Sequence, residues 1–252
     1  MAEPLPPEFE QCVERLPAKQ RPRARLHLQA LSALSVASYA ELVTRLPSLD
    51  AHEVDVALQA LVYFGRRRAV PPLTRLLKHA SDEVRQRIPR YLFELRGERA
   101  FQALARALRE DPDPEVRYQS GHELQFFFDD RLCDLYLEVL LDPAEAPRVR
   151  GQAAEGLHLW PSCGDGRTRL YKRVVQGLIA CLSDGSPEVR FWCCYALGQL
   201  RARAAVPYLQ QLVDSDTEIC PNWWPVRDEA SDAIRAIHGK PWPQRERIFT
   251  CT

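Results

Sequence analysis

The chain has 252 residues, of which 46% are hydrophobic and 27% are charged, as is typical of a folded globular protein rather than a disordered one. Its 34 basic and 34 acidic residues cancel, which argues against a protein built mainly to neutralise nucleic-acid phosphates. The sequence has no uninterrupted apolar run of about 18 residues, so we expect no membrane span. Its acidic, proline-rich start does not resemble a secretory signal, and we expect a cytoplasmic location.

Cysteines give no sign of a disulfide framework. The eight of them are irregularly spaced, and none forms a Cys-x-x-Cys pair. A chain of this size without a secretory signal is not the kind that depends on disulfides. We expect free, mostly buried thiols.

Residues 1–49 are predicted to hold degenerate helices, and a short motif then recurs along the chain. Its copies align on six valines: Val54, Val84, Val116, Val149, Val189 and Val226. In five copies an arginine follows the valine: Arg85, Arg117, Arg150, Arg190 and Arg227. Apolar residues recur after each valine at helical spacing, so each copy predicts an amphipathic helix, here called a Val-Arg helix.

A second set of helices is predicted between the Val-Arg helices, at 70–79, 100–110, 131–141, 169–183 and 205–215. Prolines stand at several predicted helix starts, and strand-like alternation is absent from the sequence. The pattern predicts an all-α fold, an α-solenoid of about six to seven stacked helical hairpins. We expect one domain over residues 1–252, with recognisable repeats at 50–237. A cap at 238–252 would use Trp242, Ile248 and Phe249 to cover the last repeat.

The recurring core, such as DEVR at 82–85 and PEVR at 187–190, resembles the HEAT repeat in its short bacterial form, which also occurs in bilin lyase subunits. The resemblance implies a superhelix whose concave side is lined by the Val-Arg helices. It also implies a structural ladder, running from one repeat to the next, in which aspartates in the turns between paired helices meet the motif arginines. The expected pairs are Asp82 with Arg85, Asp113 with Arg117 and Asp184 with Arg190, with Arg150 and Arg227 as further members.

The concave side is expected to bind a partner. Side chains opposite the apolar stripe of each Val-Arg helix face outward and mix aromatic with charged groups, which suits a protein interface. The candidate partner-binding residues are Arg90, Tyr118, His122, Glu155, His158, Phe191, Trp192 and Tyr195.

The sequence gives weaker support for a metal site. His122-Glu123 resembles the His-Glu pairs of HEAT-repeat di-iron hydroxylases, but that family uses four such pairs and this chain has one. His158 and Cys163 are too few for a structural zinc site. We expect no metal and no cofactor.

Five tryptophans in the C-terminal half, at 160, 192, 223, 224 and 242, leave a rival function, a HEAT-like DNA glycosylase or another DNA-binding repair protein. Trp223 and Trp224 are expected to pack between repeats. A lyase-like or chaperone-like subunit for a chromophore is a third function, based on fold analogy alone.

The sequence therefore favours a monomeric, non-enzymatic bacterial scaffold that binds another protein. It would act as an inhibitor or immunity factor, or as an assembly adaptor. Nucleic acid is not the expected partner.

Overall fold

The computed structural model describes residues 5–32, 36, 38–49, 51–159 and 168–245. Within these ranges all regular secondary structure is helical, apart from one isolated β-bridge between Ile219 and Pro225. The chain forms two compact units, Met1–Glu123 and Leu124–Thr252, here called unit 1 and unit 2.

Unit 1 is built from short helices followed by two longer hairpins. Its helices are α1 (Pro7–Glu14), α2 (Arg21–Ser32), α3 (Tyr39–Arg45), α4 (Ala51–Ala60), α5 (Val70–Leu76), α6 (Asp82–Leu95), α7 (Glu98–Glu110) and α8 (Pro114–Leu124), the last ending at the boundary with unit 2. The Ser81 hydroxyl accepts the Val84 N–H at 3.4 Å and so caps the start of α6. Hairpin α5–α6 packs against α7 and α4.

Unit 2 consists of three hairpins, α9–α10, α11–α12 and α13–α14. Their bounds are α9 (Arg131–Leu141), α10 (Pro147–Gly156), α11 (Arg169–Ala180), α12 (Pro187–Gln199), α13 (Val206–Ser215) and α14 (Val226–Ile237). The second helices of the hairpins pack side by side in the order α10, α12, α14. Thr168 caps α11 by accepting the Tyr171 N–H at 3.0 Å, and prolines occupy the first turns of α10, α12 and α13.

The helical hairpins predicted from the repeat are confirmed. All six aligned valines are buried, which shows that each Val-Arg helix turns its predicted stripe to the core. Apolar burial of this kind is the main favourable term in folding. Trp160, Cys163, Ile248 and Phe249 lie outside the described residues.

An arginine–aspartate ladder joins successive hairpins, but its pairs differ from the predicted ones. Three of the five motif arginines each reach the aspartate in the turn of the hairpin that follows. Arg85 pairs with Asp111 at 3.0 Å, Arg150 with Asp184 at 2.6 Å, and Arg190 with Asp216 at 2.7 Å.

The geometry at each ladder step satisfies both partners. The same three guanidinium groups also donate to backbone carbonyls of the turn or helix before their own helix, namely those of His79, Leu140 and Asp184. Each aspartate uses its Oδ1 to accept the N–H of the residue two positions on, at 2.9–3.1 Å. The pairs Arg85–Asp111 and Arg190–Asp216 are buried and Arg150–Asp184 is partly buried, so these additional hydrogen bonds offset much of the cost of desolvating the charges.

The predicted pairs Asp82–Arg85 and Asp113–Arg117 are wrong. Asp82 is exposed and accepts the Glu83 N–H, while Asp113 accepts a hydrogen bond from Gln86.

The remaining predicted ladder members also differ from expectation. Arg117 donates to the carbonyls of Asp111 and Pro112. Asp184 was assigned to the wrong arginine, since its carboxylate pairs with Arg150 and not with Arg190. The side chain of Arg227 is exposed. The carbonyls of the preceding turn or helix already accept hydrogen bonds from Arg85, Arg150 and Arg190, and the carboxylate that each of these arginines binds comes from the next hairpin.

The thiol state of the cysteines and the lengths of the helices agree with what the sequence predicts. No disulfide joins the six cysteines in the described part of the chain, and five of the six are buried. Among the helices described here, none has both the length and the hydropathy needed to cross a bilayer.

Candidate functional site

A cluster of aromatic rings is built around α12 in unit 2. The cluster, here called the aromatic cluster, consists of His158, Phe191, Trp192, Tyr195, Trp223, Trp224 and Trp242. Helix α12 supplies three of the rings, and the segments before and after α14 supply the three tryptophans beyond residue 200. Four of the eight predicted partner-binding residues therefore come together here.

The rings of the aromatic cluster pack mostly edge to face. The centroids of Trp192 and Tyr195 are 5.6 Å apart with planes at 84°. Trp192 and Trp223 are 5.2 Å apart at 80°, and His158 and Tyr195 are 5.2 Å apart at 89°. This arrangement brings the positive edge of one ring to the negative face of the next, which is worth about 0.5–1.5 kcal/mol a pair beyond area burial. The rings are therefore held in fixed orientations before any partner arrives.

Phe191 is buried, so its prediction as a partner-binding residue is wrong. Only 1% of its surface is exposed, and its ring lies 5.3–5.8 Å from those of Trp192, Trp223 and Trp224. The loop between α13 and α14 covers it, and this loop is fixed by hydrogen bonds such as Trp223 N–H to Cys220 O at 2.9 Å. The position of Phe191 on its own helix does not indicate that a loop from another hairpin covers it.

Two glycines provide the space that the tryptophan rings occupy. A Cβ on Gly151 would lie 2.8 Å from Cδ1 of Trp192, and a Cβ on Gly198 would lie 2.7 Å from Cη2 of Trp242. Any larger side chain at either position would displace a ring. Every member of the cluster except Phe191 is half-buried, and these residues form a surface, here called the aromatic surface, which consists of His158, Trp192, Tyr195, Trp223, Trp224 and Trp242.

Several titratable side chains on or beside the aromatic surface have shifted pKa values. Burial raises the pKa of Tyr195, and the carboxylates of Glu155 and Glu229 raise it further. Burial also raises the pKa of Glu188, on the first turn of α12, where Arg148 partly offsets the effect. Burial lowers the pKa of His158, whose Nδ1 lies 2.5 Å from the Glu155 carbonyl oxygen, so the ring is neutral at neutral pH.

A buried acid lies beneath the aromatic cluster. Glu229 on α14 has no exposed surface, and burial raises its pKa to about 8. Its Oε2 accepts the indole N–H of Trp224 at 2.8 Å, whereas its Oε1 has no hydrogen-bond partner. The group is therefore mostly protonated at neutral pH, since a charge there would face little compensation.

Three predicted partner-binding residues belong to unit 1. The side chain of Arg90 is 77% exposed and lies 3.7 Å from Glu94. Tyr118 and His122 are half-buried and stack with centroids 6.4 Å apart. No group of three or more metal-ligating side chains occurs in the described part of either unit.

Trp223 and Trp224, which the sequence predicts to pack between repeats, both pack against Phe191, with ring centroids 5.8 and 5.6 Å from its own, and both are half-buried. Trp224 also donates its indole N–H to Glu229. The concentration of tryptophan in the C-terminal half was the signal for both.

A family model for HEAT repeats matches residues 40–125 and 134–236. The chain belongs to the HEAT-repeat family. No curated protein sequence matches the chain significantly.

Solved structures share the architecture of this HEAT-repeat chain at low identity. The complex of CpcE and CpcF of phycocyanin lyase from Nostoc sp. is 21% identical, with a TM-score of 0.52 over 66% of this chain and 98% of that one. Human deoxyhypusine hydroxylase in complex with glycerol is 19% identical, with a TM-score of 0.42 over 85% and 87%. A designed armadillo repeat protein is 20% identical, with a TM-score of 0.46 over 83% and 98%. Likeness at these identities concerns the fold.

Proposed function

We propose that this HEAT-repeat chain is a protein-binding scaffold whose partner docks on the aromatic surface of unit 2. The observation that carries the proposal is the fixed set of half-buried rings on and around α12. Tryptophan and tyrosine dominate binding energy in protein interfaces because they bury a large area at small entropic cost. Rings already fixed by their neighbours lose little further freedom on docking.

The scaffold acts by covering a surface of its partner or by holding that partner for assembly. Both roles, inhibitor or immunity factor and assembly adaptor, need a rigid complementary surface rather than a reaction centre. Glu155 and Glu188 add charge beside the rings, and such rim charges select the partner and set the speed of association.

Removal of two rings tests the proposal. We expect the double variant Trp192→Ala/Tyr195→Ala to lose the partner that the wild-type chain captures from its native host, because both rings would contact that partner. Capture is measured by affinity purification and mass spectrometry. Tyr208→Ala is the matched control, since Tyr208 is 47% exposed on α13, away from the cluster. Circular dichroism checks that both variants keep their helices, and equal capture by the double variant and the wild type would contradict the proposal.

A further inference from the structure

The segment after α14 lies against the aromatic surface but is attached to the fold by side chains. Gly239, with φ of +78°, ends the helix, and the Lys240 N–H donates to the Arg235 carbonyl at 2.9 Å. Residues 241–245 make no backbone–backbone hydrogen bond to any other described residue. Two of these five residues are prolines, which have no N–H to donate.

Trp242 is the first anchor of this segment. Its ring lies 5.4 Å from that of Tyr195, with planes at 63°. It fills the space left by the missing side chain of Gly198, where an added Cβ would also come within 2.8 Å of the Ala233 Cα. The slot for this ring is thus formed by α12 and α14 together.

Arg245 is the second anchor. Its guanidinium donates to the Asp232 carboxylate, with Nη2 to Oδ1 at 3.0 Å, and lies 3.5 Å from the Asp228 carboxylate. The same group lies 6.0 Å from the centroid of the Trp224 ring, within cation–π range. The hydrogen bonding that Arg245 donates to the Asp232 carboxylate is the main cause that raises the pKa of Arg245.

Asp232 makes this second anchor a charge-specific site. Its surface is 1% exposed, and Arg245 donates two hydrogen bonds to its carboxylate. A buried carboxylate that loses its cation is strongly destabilising. Any molecule that displaces Arg245 must therefore bring a cation of its own to Asp232.

We infer that residues 241–245 are an internal ligand of unit 2, which a partner protein displaces with an aromatic side chain and a guanidinium of its own. The inference rests on the proposed function and names the chemistry of the partner. One ring enters the slot at Gly198, and one guanidinium binds Asp232 and Asp228 beside Trp224. In the internal ligand these two groups are three residues apart in sequence, which gives the spacing expected in an extended partner segment.

Freeing the site and offering the segment as a separate molecule tests the inference. The full-length variant Trp242→Ala/Arg245→Ala has a site without its internal ligand, and the probe is a fluorescein-labelled peptide of residues 238–245, HGKPWPQR. We expect the variant to bind this peptide at least 10-fold more tightly than the wild type does, by fluorescence anisotropy. A tethered ligand acts at an effective concentration of order millimolar, so the wild-type site is already filled.

Matched controls separate this result from non-specific binding. The variant Tyr208→Ala/Arg203→Ala removes one aromatic and one arginine that are both exposed and are not among the residues of the cluster, and it should bind the peptide as the wild type does. Peptides carrying Trp242→Ala, or citrulline in place of Arg245, should each bind the freed site at least 10-fold more weakly. Single variants Trp242→Ala and Arg245→Ala replace the double variant if circular dichroism shows that it has lost helix.

The outcomes distinguish the inference from the proposed function. If wild type and variant bind the peptide equally, or if neither binds it, residues 241–245 are not an internal ligand. The proposed function is then still tested separately by the capture experiment with Trp192→Ala/Tyr195→Ala. A citrulline peptide that binds as well as the arginine peptide overturns the cationic partner. Peptide binding combined with unchanged partner capture by Trp192→Ala/Tyr195→Ala overturns the proposed function, and the link to a partner with it.

Discussion

Glu229 shows how much a single buried carboxyl can influence this fold. Desolvation raises its pKa from an ordinary value of 4.5 to about 8, the Trp224 indole and Arg245 oppose that rise, and Asp232 adds to it. Between these two pH values the folded chain keeps a proton that the unfolded chain has lost. The free energy of unfolding therefore falls as pH rises through this window and levels off above about pH 8.

Glu229→Gln should remove this pH dependence. The glutamine keeps an oxygen that accepts the Trp224 N–H but has no proton to lose. We expect the variant to be close to the wild type in stability near pH 5 and more stable by a few kcal/mol near pH 8.5, since each pKa unit corresponds to about 1.4 kcal/mol. Urea unfolding at several pH values measures this difference. If plots of unfolding free energy against pH stay parallel for the wild type and Glu229→Gln between pH 4.5 and 8, the Glu229 carboxyl is not the cause of the pH dependence.

At the scale of residues, the sequence predicted the burial of some side chains correctly and of others wrongly. Helical periodicity correctly identified the buried valines, because burial within a hairpin depends on the chain's own stripe. It failed for Phe191, since the covering loop comes from a different hairpin. The buried acid Glu229 was not predicted, although it stands on the same helix as the apolar residues Val226 and Ala233. Nothing in the local pattern pointed to Arg245 as its neighbour.

At the scale of helices the ladder is the element that links one hairpin to the next. Arg190 on α12 pairs with Asp216 in the turn before α14, and both side chains are less than 10% exposed. Glu218, at 2.6 Å, is a more exposed second partner. Removal of the arginine alone would leave a buried carboxylate without its cation.

Arg190→Met should therefore destabilise the fold by about 3 kcal/mol, the usual cost of breaking a buried pair from one side. Adding Asp216→Asn should recover much of that loss, because the amide oxygen still accepts the Glu218 N–H. Chemical denaturation of the three variants completes a double-mutant cycle.

Arg173→Met is the matched control for this cycle. Arg173 pairs with Asp134 at 2.7 Å, but both side chains are at least half exposed. Surface pairs of this kind are worth about 1 kcal/mol or less, so the change should be small. Equal losses from Arg173→Met and Arg190→Met would contradict the structural role of the ladder.

The sequence predicted that a ladder exists but not how it is paired. The resemblance supplied the residue types, and the turns supplied several aspartates within a few residues of each arginine. Choosing among them needs the tilt of one hairpin on the next, which local spacing does not contain. Arg85, for example, pairs across 26 residues with Asp111 rather than with Asp82 three positions away.

At the scale of the whole molecule, net charge bears on the choice between the two main functions that the sequence left open, a protein-binding scaffold and a DNA-binding repair protein. The chain has a formal net charge of zero, and Glu155 lies close enough to the aromatic surface to raise the pKa of Tyr195. A DNA-binding repair protein depends on basic side chains that release counterions from phosphates. The surface described here suits a protein partner better than a duplex.

We expect no complex between this chain and duplex DNA at about 100 mM salt, where phosphate contacts still contribute strongly to binding. A gel-shift series in rising salt measures this. A shift that weakens steadily as salt increases would favour the DNA-binding alternative instead.

Repetition made the fold the most predictable property of this molecule. Each copy of the motif repeats the same evidence for a helix, so errors in one copy are outweighed by agreement among the others. The binding surface has no such redundancy. It depends on one loop, one pair of glycines and one terminal segment, each of which occurs once in the described chain.

The ladder of unit 2 also bears on how such a chain can change in length. The hairpin α11–α12 brings Asp184 for the arginine of the hairpin before it and Arg190 for the aspartate of the hairpin after it. A gene duplication that inserts a complete copy of this hairpin therefore leaves every charge of this ladder paired, whereas an insertion of half a hairpin leaves one of them without its counterion. Lengthening by whole units is thus the route that the electrostatics of the interior permit.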